Sequence, residues 1–263
     1  MILRRLEIIY IFLIFNSVSF SQKIDSSFFI NTAFQSGEKI SYKVRYGVIK
    51  GGEASLSINL EPSGYSYIYH ITALAKTTGV IGSMVTIRDI YESYTEVHSG
   101  LPIKSVRNIL EHHYTSYNEV LFFRDSGYVK SLKSGKHEVP SDILDILSAF
   151  YFARRYLFSN GLEKGKIITL NTFFDDELFL IKLKYKAKEK VKTKFGKINC
   201  LKFVPIIEKK SPFKKEEQME IWITADENYI PVKIRINLPV GNLKCDIIDF
   251  EELKNINGEL NKN

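Results

Sequence analysis

Histidine and cysteine are scarce in this chain, so any chemistry must come mainly from carboxylates, tyrosines and arginines. The densest polar and aromatic cluster is Arg88-Asp89-Ile90-Tyr91-Glu92-Ser93-Tyr94. As a strand, it would place Arg88, Ile90, Glu92 and Tyr94 on one face and Asp89, Tyr91 and Ser93 on the other. One reading is a binding face, with Arg88 on an anion and the tyrosines against a sugar or acyl chain. The other is an Arg–carboxylate network tied into the sheet, with the tyrosines as ordinary wall residues, and this is the default.

The second cluster is Asp175-Asp176-Glu177. Glycoside hydrolysis needs two carboxylates facing each other across a cleft, about 5–10 Å apart. Neighbours in a tight turn splay apart, and acidic residues favour turns for backbone reasons alone. Asp226-Glu227-Asn228 reads the same way. The histidines are His70, His98, His112, His113 and His137. His112 and His113, adjacent in an expected strand, point to opposite faces, and Glu111 with His113 is only a fragment of a metal site. There is no Gly-x-Ser-x-Gly, phosphate loop or dinucleotide fingerprint. The reading therefore assigns no catalytic residue, metal or cofactor. Its binding candidates are Arg88, Asp89, Tyr91, Glu92, Tyr94, Asp175 and Asp176.

These residues must be positioned by strands. Ile40, Tyr42, Val44, Tyr46 and Val48 alternate with polar residues, Gly51-Gly52 turns the chain, and Ala54, Leu56, Ile58 and Leu60 alternate again. Period two on both sides of a glycine turn is a β-hairpin with one wet face. About fourteen such strands follow at regular spacing. One helix interrupts them, expected over 140–158, with Pro140 in its first turn and Ser141 or Asp142 as cap. Arg154 and Arg155 would close it against the helix dipole. Its stripe of Ile143, Ile146, Leu147, Phe150 and Leu157 widens with Leu144, Tyr151, Phe152 and Phe158 until it is apolar nearly all round, so the helix should be buried. The expected fold is all-β and mainly antiparallel, a roll or partly open barrel with one long buried helix. No βαβ alternation occurs, which excludes a parallel nucleotide-binding sheet.

Composition and address agree with this. The chain has 263 residues, 44% hydrophobic and 25% charged, with 15 Tyr and 18 Phe, enough to bury a core. Arg4 and Arg5 precede an apolar run over 8–15, with Ser19 and Ser21 behind it, the pattern of a signal peptide cut after residue 21. One β-rich domain should span 22–253, followed by a frayed tail over 254–263. The apolar run is too short for a comfortable span, so no transmembrane segment is expected after cleavage. The address is periplasmic or secreted. Export permits a Cys200–Cys245 bridge, but both lie among apolar residues in expected strands, which favours two buried thiols. The net charge of +7 is concentrated over 182–197 and 209–215. In an exported protein that points to anionic lipid or glycan rather than nucleic acid, with a solvated strand face as the default reading. Several strands, including 65–75 and 178–185, carry large apolar residues on both faces. They either fill a core or line a cavity.

The chain resembles an exported bacterial family classed as domain of unknown function 3108. The resemblance rests on Gly37-Glu38 with Tyr42, Val44 and Tyr46-Gly47, on Arg88 to Tyr94, and on 145–151. It continues through Thr172 to Asp176, Gly196 to Phe203, and Trp222-x-Thr224 to Asn228-x-x-Pro231-Val232. A second acidic residue is expected in the turn after the Trp222 strand, where this chain has Ala225. The family implies an exported, β-rich envelope protein with no assigned reaction. The leading expectation is a non-enzymatic carrier of an amphipathic ligand, a lipid or lipid-linked glycan. The alternatives are a glycan-processing enzyme using Asp175, Asp176 or Glu92, and an interaction module that meets an envelope partner through an edge strand or 209–215.

Overall fold

A computed structural model describes residues 31–206, 219–238 and 241–261. The expected signal peptide and the basic segment 209–215 lie outside the described residues.

Seventeen-residue and shorter strands build one antiparallel sheet of 14 strands. The first half comprises β1 (Lys39–Tyr46), β2 (Ile49–Ser63), β3 (Ser66–Thr77), β4 (Arg88–Glu96), β5 (Pro102–Glu111), β6 (Tyr114–Phe123), β7 (Tyr128–Ser131) and β8 (Gly135–Glu138). A short helix, α1 (Gly79–Met84), interrupts it between β3 and β4. After α2 (Ile146–Asn160) come β9 (Ile167–Phe174), β10 (Glu177–Thr193), β11 (Gly196–Ile206), β12 (Met219–Thr224), β13 (Pro231–Asn237) and β14 (Asn242–Glu251). Each half is a meander, and the two join where β1 pairs with β14, Lys39 opposite Glu251. The sheet is open, with β8 at one end and β9 at the other.

The two ends still meet, through side chains. Phe173 of β9 packs with Val120, Phe122 and Val129 of β6 and β7 and with Ile143, and its ring lies 5.1 Å from that of His137 in β8. The free edge of β9 is also occupied. Leu144 donates its N–H to the Asn171 carbonyl at 2.9 Å, and its own carbonyl accepts from the Phe173 N–H at 2.8 Å. A single residue therefore blunts an edge that would otherwise recruit another strand.

That bridge corrects the expected helix. Leu144 must be extended to reach β9, so 140–144 is not helical and α2 begins at Ile146. The cap is Asp145 rather than Ser141 or Asp142. Its carboxylate accepts from the Leu147 and Ser148 amides at 2.8 and 3.1 Å, and Ser148 Oγ accepts from the Asp145 amide at 2.9 Å. This reciprocal box satisfies the free first-turn donors, and Ser93 Oγ of β4 donates to Asp145 at 2.5 Å. The helix has 15 residues, with side chains described through Arg155. Ala149, Phe152 and Ala153 pack on β9–β12, whereas Leu147 and Tyr151 pack on β2 and β3. Phe150 is only partly buried.

Nor do the two arginines close the helix end. Arg155 turns aside to donate to the Val97 and His98 carbonyls. Arg154 is 1% exposed and points inward. Its guanidinium holds both Glu38 carboxylate oxygens, at 2.6 and 2.8 Å, and donates to the Ala33 and Asn228 carbonyls, each at 2.9 Å. The rings of Phe34 and Tyr151 lie 5.2 and 5.1 Å from it.

The tail is a further correction, because most of it is docked. Leu260 is buried, Asn255 donates to the Thr32 carbonyl at 3.0 Å, and the Glu259 carboxylate accepts from the Asn199 amide at 3.0 Å. The backbone passes so close to Asp226 and Asn228 that a Cβ on Gly258 would sit 2.4 Å from an Asp226 oxygen. Cys200 and Cys245 form no bridge, and burial pushes both thiols up to about 12.

Removing one member of a buried ion pair strands the other charge in a low-dielectric interior, at a cost of about 3–5 kcal/mol. Glu38→Ala should therefore lose about that much in urea denaturation, and Glu38→Leu combined with Arg154→Leu should lose less than Glu38→Ala alone. A double substitution more damaging than the single one would refute this account of the pair.

Candidate functional site

Strand alternation distributes the sequence candidates over two faces. Ser93 is buried against Asp145, so its side of β4 faces α2. Glu92 and Tyr94 point the other way and surround a histidine. His70 has Nδ1 2.7 Å from Glu61 and Nε2 2.9 Å from Glu92, and its ring stacks on Tyr94 at 4.3 Å. Carboxylates flank both ring nitrogens on opposite sides, so these groups do not converge on one ion. Among the described residues no three metal-ligating side chains come together. His112 and His113 lie in the β5–β6 turn rather than a strand, with rings 3.7 Å apart. Arg88 is exposed at the start of β4, and Asp89 accepts from the Leu110 amide at 3.3 Å. Burial, followed by the Glu111 charge, raises the Asp89 carboxyl above the ordinary range.

Tyr91, Asp175 and Asp176 do come together where the two sheet ends meet. Both aspartates occupy left-handed backbone positions in the β9–β10 turn, at φ 54° and 64°, as a two-residue hairpin of this hand requires. Asp175 forms an ion pair with Arg107 of β5. The Arg107 guanidinium lies 5.9 Å from the Tyr91 ring and 5.3 Å from that of Phe174. Asp176 accepts from Asn118 of β6 at 3.0 Å. Burial alone would raise the Asp176 carboxyl, but hydrogen bonds from Ser131, Ser134 and Asn118 outweigh it and hold the group below its usual value. A general acid needs the opposite shift. The pair therefore joins β9–β10 to β5 and β6, and the space beside it is only about 40 Å³.

A larger space lies on the other side of Ile146, the α2 residue that lines both. This cavity has a volume of about 380 Å³. Its helix wall is Ile146, Ala149, Phe150, Ala153 and Arg154; its sheet wall includes Ile168, Leu170, Ile181, Phe203, Ile221 and Ile223. Lys182 is the cationic residue on the β10 side. Small alanines on the helix leave the volume unfilled, and apolar residues on both faces of 178–185 supply part of the wall. Neither the tyrosine cluster nor the acidic turn borders it.

The model of the family described as "protein of unknown function (DUF3108)" matches residues 41–248. The chain belongs to that family. No curated protein matches it. Among solved structures, it is similar to a β-barrel-like protein of domain of unknown function DUF1849 from Brucella abortus. That match has a TM-score of 0.52 at 9% identity and covers 82% of this chain and 97% of that one. A DUF1089 family protein from Pseudomonas aeruginosa matches at a TM-score of 0.39 and 12% identity, over 68% of this chain and 87% of that one. The first likeness concerns fold alone, and the second is too distant to carry an argument. No helix among the described residues is long and apolar enough to cross a membrane.

A carboxyl held below its unfolded value lends stability that is present above that value and is lost as pH falls through the folded one. Asp176→Asn should therefore cost stability near neutrality, and the gap from wild type should narrow as pH falls below about 4. Urea midpoints measured from pH 7 to pH 3 check this; a gap that widens on acidification would be the wrong sign.

Proposed function

We propose that this member of the DUF3108 family is an exported envelope protein that binds an amphipathic ligand, with the apolar part held between α2 and strands β9–β12. The observation that carries the reading is the cavity of about 380 Å³. Small-molecule sites typically occupy about 300–1,000 Å³, mostly apolar, with a few polar groups to orient the ligand. Water gains little in such a space, because it needs two to four polar partners and the lining supplies almost none. An alkyl chain would restore the dispersion contacts that the unfilled wall lacks. Lys182 places a positive charge on the β10 wall, which suits a carboxylate or phosphate head. A lipid or lipid-linked glycan fits this division of chemistry. Export is supported by the basic and apolar N-terminal pattern of residues 4–21. A partly open barrel is the corresponding reading of the sheet, whose ends touch through Phe173 and His137.

The binding candidates read from the sequence divide accordingly. Tyr91, Asp175 and Asp176 hold the sheet ends together beside the cavity, and Arg88, Asp89, Glu92 and Tyr94 have no part in enclosing it. Tyr91, Asp175 and Asp176 thus brace the fold around the cavity rather than touch ligand.

Oleate is a suitable probe. Adding it to delipidated protein should raise Tm, as any ligand selective for the folded state does, and native mass spectrometry should show a one-to-one complex. Ile221→Trp fills the space from the β12 wall and should weaken oleate binding about tenfold or more while the protein stays folded. Wild type that takes up no oleate, or a folded Ile221→Trp variant that binds it unchanged, would remove the proposal.

A further inference from the structure

A second concavity, of about 390 Å³, shares no residue with the apolar one. It lies on β1, β10, β12, β13 and β14, with Trp222 in its wall. Its cations are Arg45, Lys190, Lys192, Lys233, Arg235 and Lys244, against the carboxylates Glu189 and Asp246. The sheet register sharpens this imbalance. Arg45 stands directly opposite Lys244, and Lys244 directly opposite Arg235, so three cations form one cross-strand row. Like charges in that relation destabilise a sheet. Neighbouring carboxylates relieve only part of the repulsion. Asp246 is shared between Arg45 and Lys233, Glu220 between Lys202 and Arg235, and Glu189 accepts from the Trp222 indole. Lys190, Lys192 and Lys244 have no ion-pair partner among the described residues. The Nε–H groups of Arg45 and Arg235 are buried without an acceptor.

We propose that this concavity is a binding site for a diphosphate group. A row across three strands spans roughly 10 Å, more than one phosphate needs, and guanidinium forks suit phosphate oxygens. A bilayer surface would meet a flat or convex basic face; here the cations surround a hollow. The site is separate from the proposed lipid cavity and stands or falls independently of it.

The test is calorimetric titration of the full mature chain with inorganic pyrophosphate at low salt, with vesicles of phosphatidylglycerol and phosphatidylcholine as a second arm. Pyrophosphate should bind more tightly than orthophosphate and should raise Tm. Lys244→Gln should reduce pyrophosphate affinity about tenfold, whereas Lys130→Gln on β7 should leave it unchanged. Without pyrophosphate, Lys244→Gln should melt no lower than wild type, because it removes a repulsive neighbour. No pyrophosphate binding, equal loss in both variants, a lower melting point for unliganded Lys244→Gln, or capture by anionic vesicles without pyrophosphate binding would each overturn the assignment.

Discussion

The structure depends on a buried charge pair. Arg154 projects from α2 and Glu38 stands at the entrance to β1; both are sealed from solvent. Removing two ions from water is costly, and the attraction between them offsets that only with good geometry and full hydrogen bonding. Here Arg154 reaches four oxygens from three separate stretches: the lead-in at Ala33, Glu38, and the β12–β13 turn at Asn228. Burial would lower the guanidinium's proton affinity, but the Glu38 carboxylate more than compensates and raises it. The same burial and charge push the Tyr151 hydroxyl up, so it stays protonated beside the pair. Apolar packing alone would let a helix slide or turn inside the sheet. A bidentate ion pair with one partner per oxygen permits one position.

With the helix fixed, the open sheet needs no strand ladder to bring its ends together. Asp145 caps α2 and receives Ser93 from β4, and Leu144, immediately before it, occupies the edge of β9. The chain entering the helix thus touches both halves of the sheet within two residues. Arg107 with Asp175 and Asn118 with Asp176 add polar ties on the same seam. The consequence is unequal filling. On the β2–β3 side Tyr151 and Phe34 pack edge to face at 4.9 Å, whereas on the β9–β12 side alanines face the sheet and a cavity remains.

Local patterns disclosed the strands and the family well. The β1–β2 alternation, the break at the helix and the alternation that buries Ser93 opposite Glu92 follow from period-two chemistry. The hairpin, however, turns at Gly47-Val48, and Gly51-Gly52 lies inside β2, where a Cβ on Gly52 would sit 2.4 Å from the Lys76 carbonyl oxygen. The helix start was misplaced because Pro140 and Ser141 offer a good local cap, and no local rule reports that Leu144 is needed by β9. Arg107 was missed at the seam because its partner lies 68 residues away, and a lone arginine in a strand looks solvated. The tail was expected to fray for its Asn- and Lys-rich composition. Its contacts are with the turn at Asp226 and with Asn199 of β11, whose positions no tail residue reveals.

Sequence alone determined the strand-rich antiparallel class, the helical break between the two runs of strands and the excess of basic charge, because these rest on spacing and composition along the chain. Tertiary structure alone decided that Arg154 turns inward, that the two cysteines stay apart, that Tyr91 meets the Asp175-Asp176 turn, and that a cavity remains between α2 and β9–β12. Each of these depends on which residues from distant strands face one another. Side-chain volume summed along the chain does not say whether facing walls touch, so hollow and filled interiors share one sequence pattern until the sheet is curved around its helix.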